Sequence, residues 1–234
     1  MTSTGTVYGL GVGPGDPELI TLKALRHLRA AGAVAYPVQR GDSVARAIVA
    51  AHLRPNQVEI AIDAPMTGGE TAQPGYDAAA ATIAGHLERG EDVAVLCEGD
   101  PLFYGSFIYL LSRLAGKHRV EVVPGVSSLT ACAAALPLPL VGRDERLAVM
   151  PAILPDEKLR EGFAFGDTVA IVKVGRHFKR LAALIGELGL TARAHYVERA
   201  SQGAQRVLPL AGVDPASATY FAIILVFKEA SSWR

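Results

Sequence analysis

Gly9-Leu10-Gly11-Val12-Gly13-Pro14-Gly15-Asp16 is the stretch on which the fold turns. It extends an apolar run that begins at Thr6, and it leads into a segment in which Leu22, Leu25 and Leu28 are spaced to line one helix face. A strand, a glycine-rich turn and a helix in that order open a βα unit. The glycines let the main chain come close to a bound molecule, and Pro14 stiffens the path between Gly13 and Gly15. Thr21 is placed to cap the helix, while Asp16 followed by Pro17 can start an earlier turn.

Outward from this turn the same texture repeats. Strands are expected at 6–10, 33–36, 58–62, 92–97 and 120–123, with helices at 21–31, 43–53, 76–89 and 106–115. After Pro124 an Ala-rich helix, 129–136, gives way to a proline-punctuated segment, so a domain junction is placed there, with domains 1–124 and 125–234. Beyond it the strand candidates are 147–150, 168–174, 194–198, 205–210 and 221–228, with one clear helix at 178–188. The fold class is therefore α/β. A parallel N-terminal sheet with crossover helices is followed by a strand-rich C-terminal domain.

Bulk composition narrows the function classes. Half of the 234 residues are hydrophobic, enough for a substantial core. Lys plus Arg equals Asp plus Glu at 23 each, which leaves no general electrostatic footprint for nucleic acid or an anionic membrane. The apolar run 221–227 is far short of the roughly 20 residues a spanning helix needs and reads as a buried strand. The polar start, Met1 to Gly5, lacks the features of a secretory signal, so a cytoplasmic protein is expected. Cys97 and Cys132 sit in apolar segments as small buried hydrophobes, and the six histidines are scattered without metal-ligand spacing. No metal is expected.

Two further loops follow strands. Glu98-Gly99-Asp100-Pro101-Leu102-Phe103-Tyr104-Gly105-Ser106 comes after the run ending at Cys97, and Pro124-Gly125-Val126-Ser127-Ser128-Leu129-Thr130-Ala131 comes after 120–123. Each alone reads as readily as an ordinary turn at a helix start. Three glycine-bearing loops after three strands, however, point to one shared pocket. The dinucleotide fingerprint fails, because Pro14 or Asp16 falls where its last glycine belongs, and no Gly-Lys-Ser/Thr follows to make a phosphate loop. A nicotinamide dehydrogenase is thereby disfavoured. A nucleotide-binding module that performs no reaction stays open.

Taken in order and with their intervals, Gly11 to Asp16, Gly99-Asp100-Pro101 and Pro124 to Ser128 resemble the tetrapyrrole methylase family over nearly the whole chain. Glu98 to Ser106 together with Tyr36-Pro37 is most similar to the members acting on a precorrin in cobalamin synthesis. Relatives acting on uroporphyrinogen usually carry glycine at the place of Glu98 and phenylalanine at the place of Tyr104. The resemblance implies two α/β domains with a ligand cleft between them, S-adenosyl-L-methionine as cofactor, a tetrapyrrole substrate and a homodimer. Other members methylate a modified histidine or ribosomal RNA; the neutral charge weighs against the RNA version.

Carried over by position, Pro14, Glu98, Gly99, Asp100, Phe103, Thr130, Ala131, Val174, Ala200 and Ala222 are expected to touch the cofactor. Ala200 departs from the family, in which glycine is frequent at that place. Methyl transfer from a sulfonium is an in-line displacement that needs alignment and a dry wall rather than a protein nucleophile, and Leu102, Phe103 and Tyr104 suit such a wall. Asp100, Tyr104, Glu198 and water are candidates for accepting a proton afterwards. A polycarboxylate substrate calls for cationic and polar donors spread over a trough. Tyr36, Arg40, Met66, Tyr104, Arg143 and Arg176 are the substrate candidates, with 63–74 long enough to act as a lid. Lys179 and Arg180 read as ordinary surface charge.

Overall fold

The computed structural model describes residues 4–39, 41–63 and 72–228. The chain divides into two compact units, Met1–Ser127 and Ser128–Arg234, each built on its own five-stranded sheet. Both are α/β, as the alternating pattern predicts.

In the first unit, β1 (Thr6–Gly11), β2 (Ala33–Val38), β3 (Val58–Asp63), β4 (Val93–Cys97) and β5 (Arg119–Val123) pair in the order β3-β2-β4-β1-β5, all parallel. Four helices connect them: α1 (Leu22–Ala30), α2 (Val44–Val49), α3 (Gln73–Glu88) and α4 (Phe107–Leu114). Ala24, Leu28, Ile48 and Val49 of α1 and α2 meet Leu10, Val34, Ala94 and Leu96 on one face. Ile83, Leu87, Phe107 and Leu110 of α3 and α4 meet Val7, Ala35, Val93 and Val95 on the other. Alternate residues of β4 thus feed two cores, which is why its sequence is apolar throughout. The connections leaving the adjacent strands β1 and β4 run over opposite faces, and at such a reversal open parallel sheets hold ligands beyond the strands' carboxyl ends.

Both expected helix starts are used. Asp16 accepts from the Glu18 amide at 2.8 Å to cap a single 3-10 turn, Pro17–Leu19, and Thr21 accepts from the Ala24 amide at 3.1 Å to cap α1. The expected leucine face is corrected: Ala24 and Leu28 are buried, whereas Leu22 is 86% exposed. Six residues at about 100° each leave Leu22 roughly 120° away from Leu28 around the helix. The helix expected over 43–53 stops at Val49 and continues as a 3-10 turn, Ala50–His52.

The second unit holds α5 (Ser128–Ala135), β6 (Leu147–Pro151), α6 (Asp156–Phe165), β7 (Thr168–Val172), α7 (Phe178–Glu187), β8 (Ala194–Glu198), β9 (Arg206–Pro209) and β10 (Ala222–Phe227). Its sheet order is β6-β7-β10-β8-β9, parallel only between β6 and β7. The central β10 gives Ala222, Ile224 and Val226 to the core under α6 and α7, and Ile223 and Leu225 to the core under α5. Helix α6 is absent from the sequence reading, which found one clear helix in this half. Only Leu159 and Phe163, four apart, are buried in it, and Gly162 lies against the Met150 thioether. A helix with two core contacts worth about 2 kcal/mol each and an interior glycine leaves a weak pattern. Strand β7 ends at Val172 rather than 174 because Lys173 adopts a φ of 61°, which no strand residue can hold.

Of the substrate candidates, Arg40 and Met66 lie outside the described residues, as does 64–71 of the 63–74 connection.

Candidate functional site

The geometry of the first unit's site is set by strand register. Gly11 of β1 is level with Cys97 of β4, and Leu10 is level with Val123 of β5, so three loops leave three adjacent strands at the same height. The loops after β1 and β4 are then tied together, Val12 N donating to Cys97 O at 3.0 Å and Gly99 N donating to Gly13 O at 2.8 Å. The loop after β5 packs onto both. A Cβ on Gly125 would fall 2.1 Å from Gly99 O and 2.7 Å from Gly11 Cα; one on Gly11 would fall 2.5 Å from Gly125 Cα. No side chain fits between these backbones. The spacing of the three glycine motifs in sequence is therefore the record of one three-way main-chain contact.

Asp100 completes that contact. Its Oδ1 accepts from Leu102 N at 2.9 Å and its Oδ2 from Gly125 N at 3.0 Å, so one carboxylate shapes its own loop and fastens the neighbouring one. With both oxygens engaged, Asp100 is a positioning residue rather than the proton acceptor it was a candidate to be. Gly13 and Gly99 stand at φ of 81° and 65°, open to glycine at no cost. Tyr104 holds a φ of 57°, a conformation that costs a non-glycine residue on the order of 1 kcal/mol and is retained where the surroundings demand it. It carries its ring edge-on to Phe103, with centroids 5.1 Å apart, and Leu102, Phe103 and Tyr104 all remain substantially exposed. Burial pushes the Tyr104 hydroxyl above its ordinary value, so at neutral pH it is a hydrogen-bond donor and a poor proton acceptor.

Pro14 is buried at the turn of the first loop. Glu98, between the two hydrogen bonds that tie β4 to the first loop, has no hydrogen bond or ion pair among the described residues. Burial pushes its carboxyl up to about 7. Tyr36 is drawn elsewhere. It is 9% exposed within the α1–α2 core, its hydroxyl donates to Glu59 Oε2 at 2.6 Å, and Arg46 binds the same carboxylate. The polar end of Tyr36, a substrate candidate, is thus engaged by Glu59 in this structure.

The second unit gathers its turns at one edge of its own sheet, since Val172 and Glu198 are level with Ile223 and Ala222 at the start of β10. Lys173, Gly175, Arg199 and Ser201 there all have positive φ, at 61°, 37°, 48° and 65°. Gly175 N donates to Thr219 O at 3.0 Å and Arg199 N to Phe221 O at 2.9 Å. Val174, Ala200 and Ala222 are buried. Thr130 is exposed in the first turn of α5, and Ala131 packs against the cluster that contains Ala200.

Glu198 is 4% exposed and holds this edge together. It accepts from the Tyr196 hydroxyl at 2.6 Å, from Arg206 Nε at 2.5 Å and from Thr219 Oγ1 at 3.4 Å. Burial works to raise its carboxyl, but the hydrogen bonds and the Arg206 charge outweigh that and hold it below the ordinary value. Its oxygens are occupied, which corrects its candidacy as a base. Arg180 pairs with Asp156 and Ala152 O, and Arg146 with Asp167, whereas Arg143 and Arg176 are exposed and form no salt bridge among the described residues. Cys97 and Cys132 are free and buried, with both thiols pushed up by burial. Among the described residues no helix is long and apolar enough to cross a membrane.

A parallel sheet whose reversal point gathers glycine-rich turns, followed by a second α/β unit with turns at positive φ, is an arrangement in which open α/β sheets place ligands. Residues 6–213 match the family model of the Tetrapyrrole (Corrin/Porphyrin) Methylases, and the chain belongs to that family. It is 42% identical to the cobalamin biosynthesis protein CobIJ of Mycobacterium tuberculosis over 97% of its own length, but spans only 46% of that protein. The precorrin-2 C(20)-methyltransferase of a Sinorhizobium species is 38% identical over 95% of both chains. A uroporphyrin-III C-methyl transferase from Thermus thermophilus, complexed with S-adenyl homocysteine, superposes with a TM-score of 0.70 at 29% identity, covering 95% of this chain and 92% of that one.

Proposed function

We propose that the chain is an S-adenosyl-L-methionine-dependent C-methyltransferase that methylates precorrin-2 at C-20, giving precorrin-3A in cobalamin biosynthesis. The observation that carries this reading is the end-to-end match with a precorrin-2 C(20)-methyltransferase, supported by the conjunction of Gly11, Gly99 and Gly125 at the sheet's carboxyl edge. Three turns packed backbone against backbone at the carboxyl edge of a parallel sheet fit a preformed ligand platform. In this reading Pro14, Glu98 to Asp100 and Phe103 hold the cofactor, with Thr130, Ala131, Val174, Ala200 and Ala222 from the second unit.

When bound, the cofactor supplies a methyl group on a sulfonium, which an electron-rich ring carbon takes by displacement. Leu102, Phe103 and Tyr104 exclude water around that carbon. Charge disperses as the methyl moves, so a weakly polar wall favours the transition state over the cation. Arg143 and Arg176, not being spent on acidic neighbours, are the donors for the substrate's carboxylates, and the protonated Tyr104 hydroxyl adds a neutral one. The enzyme is proposed to be a homodimer in the cytoplasm, and light scattering at micromolar concentration checks the dimer.

The test of the reaction is incubation with methyl-labelled cofactor and either metal-free or cobalt-containing precorrin-2, followed by mass and NMR analysis. One labelled methyl at C-20 is expected, and the arm that turns over identifies the metal state. Label at another ring carbon, or none, overturns the reading.

A further inference from the structure

Asp100, Tyr104 and Glu198, the acidic and hydroxyl groups first considered for removing a proton, are each committed or in the wrong protonation state. Glu98 is not. It lies directly beyond β4, at the point where the connections of β1 and β4 diverge, and its backbone is pinned on both sides by the bonds Val12 N to Cys97 O and Gly99 N to Gly13 O. Its carboxyl has no hydrogen bond or ion pair among the described residues. A half-buried carboxyl that makes no such bond and stands on a rigid backbone at the ligand edge of a sheet points to use.

The geometry points to Glu98 as the acceptor of the proton that the methylated ring carbon gives up. This rests on the methyl-transfer reading above. The steps balance: the ring carbon's electron pair forms the new C–C bond, and the C–S bond breaks with its pair remaining on sulfur. The carbon's C–H bond then breaks, its pair returning to the conjugated ring and its proton passing to a Glu98 oxygen. Bulk water takes the proton in turn when the product leaves.

The carboxyl's position near 7 suits this, since half of it is ionised at neutral pH and the proton is returned to water readily. The titratable groups on the surrounding loops are Asp16, Cys97, Asp100 and Tyr104; the loop after β5 brings none. Asp16 and Asp100 are turned onto main-chain amides, and burial keeps Cys97 and Tyr104 protonated at neutral pH. Glu98 is therefore the carboxyl on these loops that is not turned onto a main-chain amide.

Three measurements on wild type and Glu98→Gln test the assignment. Carbon-13 NMR of glutamate-labelled apoprotein is expected to show one carboxyl titrating near 7 that Glu98→Gln removes. Calorimetry with S-adenosylhomocysteine is expected to give equal affinities, because Glu98 to Asp100 offers its main chain to the cofactor. Turnover is expected to fall by about 100-fold or more, with the rise in wild-type rate through neutral pH abolished, and Glu98→Asp should restore part of both. A variant within threefold of wild type that keeps the pH rise overturns the assignment alone. So does loss of S-adenosylhomocysteine affinity, which would make the Glu98 side chain, and not its main chain alone, a cofactor contact. A wild-type protein that transfers no methyl to precorrin-2 overturns the assignment and the reaction together.

Discussion

The two sheet edges solve one problem, holding sharp turns open to a ligand, by opposite means. In the first unit the turns are clamped backbone to backbone, glycine against glycine, with the Asp100 carboxylate as a side-chain tie between them. In the second unit they are held by side chains, with Glu198 receiving Tyr196, Arg206 and Thr219 behind turns that non-glycine residues enter at positive φ. A backbone clamp tolerates no added atom. A side-chain clamp tolerates graded change and is sensitive to acid.

The largest effect expected from this contrast is at Gly125. Gly125→Ala places a methyl 2.1 Å from Gly99 O, which only main-chain movement can relieve. Overpacking of this kind costs about 1–3 kcal/mol, and the displaced turns should lower S-adenosylhomocysteine affinity by at least about 100-fold. Urea unfolding and calorimetry measure the two. Near-normal affinity in a folded Gly125→Ala protein would break the comparison at its stronger side.

Next is Glu198→Ala. It leaves the buried Tyr196 hydroxyl without its acceptor and Arg206 without its counter-ion, for a loss of about 2 kcal/mol in urea unfolding. The loss stays below that of a fully buried pair because Arg206 is 42% exposed and water compensates it. A smaller effect comes with pH. Glu198 is held below its ordinary value of 4.5 when folded, so its contribution is complete above about that pH and is lost as pH falls through the folded value. Amide shifts of Arg199 and Thr219 should therefore move as pH falls through that folded value. The smallest expected effect is Arg46→Ala. It removes a half-exposed ion pair with Glu59 worth less than about 1 kcal/mol and leaves turnover unchanged.

The contrast also explains what the sequence allowed to be read. Glycine motifs after apolar strands are legible because each glycine marks a spot where nothing larger fits, and the first unit's strands and helices follow the expected ranges closely. What three glycines do to one another depends on register between β1, β4 and β5, which no local pattern encodes. Side-chain clamps are harder still. Glu198 and Asp100 read as bases because an acidic residue in a loop looks the same whether its oxygens are free or taken. The bond from the Tyr36 hydroxyl to Glu59, 23 residues away on β3, is likewise encoded by no local pattern. Helix α6 escaped because two buried residues among polar ones make no stripe.

Amide NMR of the protein titrated with S-adenosylhomocysteine tests the three-turn platform most directly. The largest shifts are expected at Gly11 to Gly15, Glu98 to Phe103 and Gly125 to Ser127, with β3 and the exposed side of α3 unmoved. Shifts confined to β3 or α3, with those three turns silent, would contradict it.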